Sequence, residues 1–246
     1  MASASGRRYD GGVEEALVAA APEVAALRRE VVTACRVLLA AGQADLVWGH
    51  VSARDPHGRG VWLKGANLGF DEVTEDDVIL LSFEGEILEG EAGRHLEYPI
   101  HTELMARRPD VNAVVHTHPL YSIAFAATGW PLRALSHDAT HFVPPDIPRF
   151  TVTGDLVRTR ELGQALADTL GDRLGVLMPH HGITTVGRTV GEAVAAATHL
   201  ERACRIALLA GPDAVGSPDE EALRKRERSA RHLAMAWSYL ARSVER

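Results

Sequence analysis

The chain has 246 residues, 46% of them hydrophobic, and a formal net charge of -7. It can bury a full core in one large domain, and it offers no concentrated basic face of the kind a nucleic-acid backbone requires. No apolar run approaches the roughly eighteen residues of a membrane span, and the N-terminal MASASGRRYDGG lacks the apolar stretch of a signal peptide. A soluble, cytoplasmic protein with no nucleic-acid or membrane partner is expected.

We expect a single domain over residues 1–246, with 1–13 flexible and 217–246 a C-terminal helical tail. Residues 14–41 read as a helix, with Leu17, Val24, Leu27, Val31, Cys35 and Leu38 at three-to-four spacing before Gly42. LVWGHVSARD (46–55) and GVWLKG (60–65) flank a turn composition and predict a hairpin; 76–88 repeats strand, turn and strand around Glu84-Gly85. Tyr98–Arg108 fits a helix with Pro99 in its first turn, and NAVVHTHP (112–119) a valine-rich strand leading into a helix that runs to about Ala127. The segment 129–153 carries Pro131, Pro144, Pro145 and Pro148 with little periodicity and reads as loop. Thr159–Leu170 is helical, and GVLMPHHG (175–182) reads as a strand, with 182–186 leading on from it or pairing beside it. Two helices follow, Thr189–Ala210 and Asp219–Val244. The second begins with basic residues, Arg224 to Arg226, Arg228 and Arg231, interleaved with Glu220, Glu221 and Glu227, the pattern of a solvated or subunit-facing surface. Grouped hairpins followed by helices between strands predict an α/β sandwich with a mixed or antiparallel sheet. Cys35 and Cys204 fall far apart in helical patterns and read as buried free thiols.

Twelve histidines are present, and eight lie between His95 and His181, which is where a metal or proton-transfer site should be sought. His116 and His118 project from one face of their strand, about 7 Å apart along it. A third ligand has to come from another segment, and His180-His181 at the end of the predicted 175–182 strand is the next source; alternation lets only one of that pair face an ion. Three neutral imidazoles with an open position suit catalytic Zn²⁺, with Mn²⁺, Co²⁺ or Fe²⁺ also compatible. A His-x-His pair alone is more often polar surface or hydrogen-bonded core. Its weight here comes from the order of parts: Glu97 before a helix, the His-x-His strand, then a His-Gly strand end.

These parts resemble the class II aldolase and adducin family. The matching stretches are GHVSARD (49–55), LKGANLGFDEVTEDDVILLSFEGEIL (63–88), Glu97-x-x-x-His101, VVHTHP (114–119) and HHGITTVGRTVGEAVAAATHLERAC (180–204). The resemblance implies a three-layer α/β/α sandwich around a central, mainly antiparallel sheet. It also implies one divalent metal per subunit, Zn²⁺ or Mn²⁺ foremost, on His116, His118 and His181, with Glu97 as acid/base. His50, Ser52, Lys64, Gly65, His95, His137 and Tyr239 become candidate substrate groups, the last two from a loop and a tail that in relatives reach a neighbouring active site. A homotetramer with inter-subunit sites acting on a small molecule is implied as well.

Where sugar-phosphate members resemble Gly-Asn-x-Ser and place two serines before the catalytic Glu, this chain has Gly49-His50-Val51-Ser52 and Arg94-His95-Leu96-Glu97. Leu96 offers a phosphate nothing. The departures resemble the branch containing a hydroxypyridine-dicarboxylate decarboxylase. They point to a metal-dependent lyase that breaks a C–C bond of a non-phosphorylated hydroxy acid, aromatic acids included, by decarboxylation or retro-aldol cleavage through a metal-stabilised enolate. The competing expectations are a non-heme Fe(II) oxygenase using the same three histidines, a sugar-phosphate aldolase or epimerase, and a non-catalytic adducin-like scaffold. His101, one turn after Glu97, either orients the site or only packs.

Overall fold

The computed structural model describes residues 11–219 and 230–245. Residues 1–10 and the cluster Arg224 to Arg228 lie outside the described residues, as does the 220–229 stretch of the expected 219–244 helix. The first helix, α1, spans Gly11–Ala40, beginning three residues ahead of the expected start.

Seven strands form one sheet: β1 (His50–Arg54), β2 (Val61–Lys64), β3 (Val78–Leu81), β4 (Ile87–Glu89), β5 (Ala113–Thr117), β6 (Gly175–Met178) and β7 (Gly182–Gly187). Their order is β4-β3-β2-β1-β5-β7-β6 and every pairing is antiparallel. Further helices among the described residues are α2 (Pro99–Arg107), α3 (Leu120–Thr128), α4 (Arg160–Leu170), α5 (Val190–Ala210) and α6 (Ala230–Val244). Thr159 and Thr189 cap α4 and α5 by accepting from the backbone N–H three residues on, as their sequence positions predict.

Strand alternation divides the core in two. Val51, Ala53, Ala113, Val115, Ile183 and Leu177 face α1, α3 and α5, while Val61, Leu63, Val114, Val176 and Val186 face α2 and α4. The result is the three-layer α/β/α sandwich with a central antiparallel sheet. Helix α6 lies on the α1/α5 side, where Gly191 lets Trp237 approach: an added Cβ would sit 2.3 Å from the indole. Cys35 and Cys204 are buried free thiols, and burial pushes both up to about 12. Among the described residues no helix is long and apolar enough to cross a membrane.

The 175–182 segment is not one strand. Pro179 removes a ladder donor after Met178, His180 takes a left-handed φ of 66°, and His181 N–H closes the turn on the Met178 carbonyl at 3.0 Å. The chain then returns as β7 beside β6. His118 likewise falls one residue beyond the end of β5. The loop reading of 129–153 holds apart from a single 3-10 turn at Ala139–His141.

The β1–β2 connection is organised by Asp55, whose carboxylate accepts from Trp62 Nε1 at 2.9 Å, from Arg59 Nη2 at 2.8 Å and from the backbone N–H of His57 and Arg59. Burial alone would raise this carboxyl, but the hydrogen bonds from Arg59 and Trp62 outweigh it and hold it below its usual value. Its contribution to stability is therefore present above the unfolded pKa of about 3.9 and is lost as pH falls through the lower folded value. Asp55→Asn should cost about 3 kcal/mol in urea unfolding at neutral pH, because its amide nitrogen replaces one of two acceptor oxygens, setting a donor against Arg59 together with either the indole or the 57–59 backbone, and removes the charge that pairs with Arg59. The gap to wild type should narrow as the measurement moves below pH ~4.

Candidate metal centre

Because the sheet is antiparallel, β1 and β7 begin at the same edge at which β2 and β5 end. His50 pairs with His116, and His116 with Thr184, so three separate segments present their polar residues side by side at that edge. Gly182 makes the closest approach possible: a Cβ there would lie 2.3 Å from the Thr117 carbonyl and 2.8 Å from His118 Cδ2.

Glu97, His116, His118 and His181 each offer one ligand atom, and these four atoms lie within 4.8 Å of one another. Glu97 Oε2 is 3.7 Å from His116 Nε2 and 3.4 Å from His181 Nε2. The other carboxylate oxygen, Oε1, accepts from the backbone N–H of Val157 at 2.7 Å, which fixes the side chain from the loop before α4.

The outer nitrogens of the imidazoles decide what the inner ones are. His116 Nδ1 donates to the Ile183 carbonyl at 2.9 Å, and His118 Nδ1 donates to the Asp45 carboxylate at 3.1 Å. Carbonyl and carboxylate oxygens only accept, so in the neutral rings both Nε2 atoms carry lone pairs. Those two atoms are 3.0 Å apart. His181 Nε2 is buried with no hydrogen-bond partner. Bare lone pairs at this spacing repel, and a buried nitrogen without a partner costs about 1–3 kcal/mol; a cation coordinated by all three relieves both. The donor set therefore fits a divalent metal. Burial, reinforced by repulsion from the neighbouring rings, pushes His116 and His118 below the usual imidazole value, so the rings are neutral and ready to ligate.

A cavity of about 320 Å³ opens over this cluster, walled by Val47, Trp48, Leu96, Leu156, His50 and His95. His95 is held by a 3.1 Å contact to the Gly65 carbonyl and is pushed down to about 4 by burial and by the nearby Lys64 charge. Gly65 serves through its backbone; a Cβ would meet Asp77 O at 2.7 Å. Ser52 is fully buried behind His50 and contacts the cavity only through His101. Lys64 shares with Trp62 the face of the sheet opposite His50 and His116, where it is fully buried, donates to the carbonyls of Gly65 and Val47, and lies over the Phe70 ring. It does not line the cavity.

His137 and Tyr239 are exposed and are not brought to the cavity within this chain. The loop bearing His137 is docked on α5, where Asp138 accepts from His199 and Arg202. His180, the other member of the His-His pair, is exposed at the turn. Sequence reading missed Asp45, which orients His118, and the Val157 N–H, which orients Glu97. Asp45 lies 73 residues from its partner, and a backbone donor leaves no mark in a sequence at all.

A family model described as Class II Aldolase and Adducin N-terminal domain matches residues 29–208. The chain is 35% identical over 164 residues to the meiotically up-regulated gene 14 protein of Schizosaccharomyces pombe, covering 65% of this chain and 63% of that protein. It is 34% identical over 198 residues to 3,4-dihydroxyphthalate decarboxylase of Arthrobacter keyseri, covering 75% of this chain and 78% of that one. Among solved structures, L-fuculose 1-phosphate aldolase of Glaciozyma antarctica PI12 superposes with a TM-score of 0.79 at 26% identity, covering 98% of this chain and 94% of that one. Matched over residues 29–208, the chain belongs to the class II aldolase and adducin N-terminal domain family.

Proposed function

We propose that the protein is a divalent-metal-dependent lyase that breaks a C–C bond of a small, non-phosphorylated hydroxy acid, with decarboxylation favoured over aldol cleavage. The observation that carries this is the convergence of Glu97, His116, His118 and His181 beneath a cavity of about 320 Å³, near the lower end for small-molecule sites and adequate for a single-ring acid. His116, His118 and His181 would hold the ion, Zn²⁺ or Mn²⁺ foremost on this ligand set and Fe²⁺ or Co²⁺ compatible with it. A bound divalent cation supplies Lewis acidity, drawing charge toward a substrate oxygen so that a neighbouring C–C bond can break heterolytically.

Glu97 is the residue placed to move a proton. Its Oε1 is tied to Val157 and its Oε2 is free to face the reacting atoms. In aldol cleavage Glu97 would take the proton of the substrate hydroxyl as the aldehyde departs and return it to the carbon that keeps the electron pair; in decarboxylation CO₂ departs from the carboxylate, Glu97 gives its proton to that carbon and is reprotonated from solvent.

The cavity lining argues against a phosphate. Arg94 is its one cationic lining residue, and the guanidinium is engaged with the Gly85 carbonyl and lies 4.3 Å from the Tyr98 ring centroid. Val47, Trp48, Leu96 and Leu156 supply apolar wall. A phosphate dianion calls for several convergent donors, whereas a carboxylate on a flat ring needs fewer. A relative of 34% identity named as a decarboxylase of a dihydroxy aromatic acid supports the same substrate class. The homotetramer with inter-subunit sites belongs to this proposal too, and His137 and Tyr239 would enter an active site only through it.

Glu97→Gln keeps an oxygen for the Val157 N–H, so it should lower turnover by about 10³-fold while the metal content of the purified protein stays at wild-type level. Loss of the metal together with activity would show Glu97 to be a ligand and not the acid/base. CO₂ release under anaerobic conditions with Zn²⁺ or Mn²⁺ is the expected activity; turnover that requires Fe²⁺ and consumes O₂ would replace the lyase with an oxygenase. Gly182→Ala forces a Cβ against His118 and should weaken Zn²⁺ binding at least tenfold in competition with a chromophoric chelator. The same variant should lose at least a third of the stabilisation that Zn²⁺ gives the wild type, which falls from about 4 kcal/mol at a thousandfold excess over Kd to about 2.7 kcal/mol for a tenfold weaker site and is read as a smaller rise in melting temperature.

A further inference from the structure

His50 lines the cavity beside the ligand cluster, with its ring centroid 4.9 Å from that of His116 and 4.5 Å from that of His95. Behind it runs a short buried chain. His50 Nδ1 lies 2.6 Å from His101 Nε2, and His101 Nδ1 lies 2.6 Å from Ser52 Oγ. Both His101 and Ser52 are 0% exposed.

The hydroxyl sets the direction of the chain. Among the described residues Ser52 Oγ meets no hydrogen-bond partner other than His101, and a buried hydroxyl with one partner donates to it, because its proton otherwise loses water without replacement. Ser52 O–H therefore donates to His101 Nδ1. His101 then carries its proton on Nε2 and donates it to His50 Nδ1, which leaves the proton of a neutral His50 on Nε2. A doubly protonated His101 would donate from both nitrogens and leave His50 in the same form, so the outcome does not depend on its charge. His50 Nε2 has no partner among the described residues, and Nδ1 is already taken.

We infer that Ser52 and His101 hold His50 as a fixed hydrogen-bond donor whose Nε2–H receives an acceptor oxygen of the substrate, a carboxylate above all. The choice of a carboxylate rests on the small-acid reading of the cavity, and a charged acceptor strengthens the bond. Ser52 and His101 are positioning residues: they touch no substrate and act through His50.

The test reads the proton directly. In ¹⁵N–¹H spectra of the labelled full-length protein, with His50 assigned by the loss of its signals in His50→Gln, wild type should show the Nε2–H form. Ser52→Thr, which keeps the hydroxyl, should show the same form, and Ser52→Ala should show a mixture of Nε2–H and Nδ1–H. Salicylate, used as the probe acid on Zn²⁺-loaded protein, should bind about tenfold more weakly to Ser52→Ala and within about twofold of wild type to Ser52→Thr. A wild-type His50 with its proton on Nδ1, or a Ser52→Ala spectrum unchanged at His50, overturns the inference, and the wild-type spectrum alone decides should Ser52→Ala fail to fold. A tautomer that shifts while salicylate affinity does not overturns the carboxylate assignment. Absence of metal-dependent turnover with the tautomers as stated would count against the lyase and uphold the relay.

Discussion

Two imidazole nitrogens 3.0 Å apart, each with its other nitrogen committed as a donor, are the constraint around which this molecule is arranged. His116 and His118 cannot turn their protons inward without abandoning the Ile183 carbonyl and the Asp45 carboxylate. The lone pairs must then face one another and His181, a cluster that is unfavourable without positive charge at its centre. A site of this kind is held open by everything behind it. The β5–β7 ladder supplies the Ile183 carbonyl, the turn at 45–48 supplies Asp45, and Gly182 removes the one Cβ that would push the His118 ring aside.

Placing such a cluster at a sheet edge has an energetic logic. Each buried polar atom left unpaired costs about 1–3 kcal/mol, a large share of the roughly 5–15 kcal/mol by which a domain is stable. The expense is confined to one edge, while the strands continue inward into two apolar faces: Val114, Val176 and Val186 against α2 and α4, and Val115, Ile183 and Leu177 against α1, α3 and α5. Helix α2 does both jobs at once. Ile100 and Leu104 pack into the second core, His101 reaches β1, and the residues immediately before its start carry Glu97. Gly163 lets α4 cross α2 with an added Cβ only 2.7 Å from the Pro99 carbonyl, so the loop that supplies the Val157 N–H is brought onto Glu97 by the same helix crossing.

The cluster of Glu97, His116, His118 and His181 was legible in the sequence because its signals are local or ordered: a His-x-His on a valine-rich strand, a His-Gly strand end, and an acid before Pro99. The helix starts at Thr159 and Thr189 and the buried cysteines were legible for the same reason. The pairing of 182–186 beside the strand is one of two readings the residues leave open, but the turn at Pro179–His181 reads as strand, because the residue in the left-handed conformation is His180 and not Gly182 two positions on. Lys64 read as a substrate group because it sits in a motif, yet alternation with Leu63 sends it to the same face as Trp62, away from His50 and His116. Asp45, His101 with Ser52, and the Val157 N–H depend on contacts across 49 to 73 positions of chain or on backbone atoms, and periodicity carries no trace of either.

One contrast between neighbouring rings gives the site its chemistry. In His116 and His118 the outer nitrogen meets an oxygen that can only accept, so the proton sits outside and the lone pair inside. In His50 the outer nitrogen meets His101, which has a proton to give once Ser52 has donated to it, so the lone pair sits outside and the proton inside. Side chains of identical composition, paired across β1 and β5 at His50 and His116, thus present opposite polarity to the same small volume. One polarity suits a cation, the other the anionic oxygen of a molecule bound to it. The difference is written entirely in residues that never touch the ligand, which is why substituting them should change what the site accepts while the ring positions stay as they are.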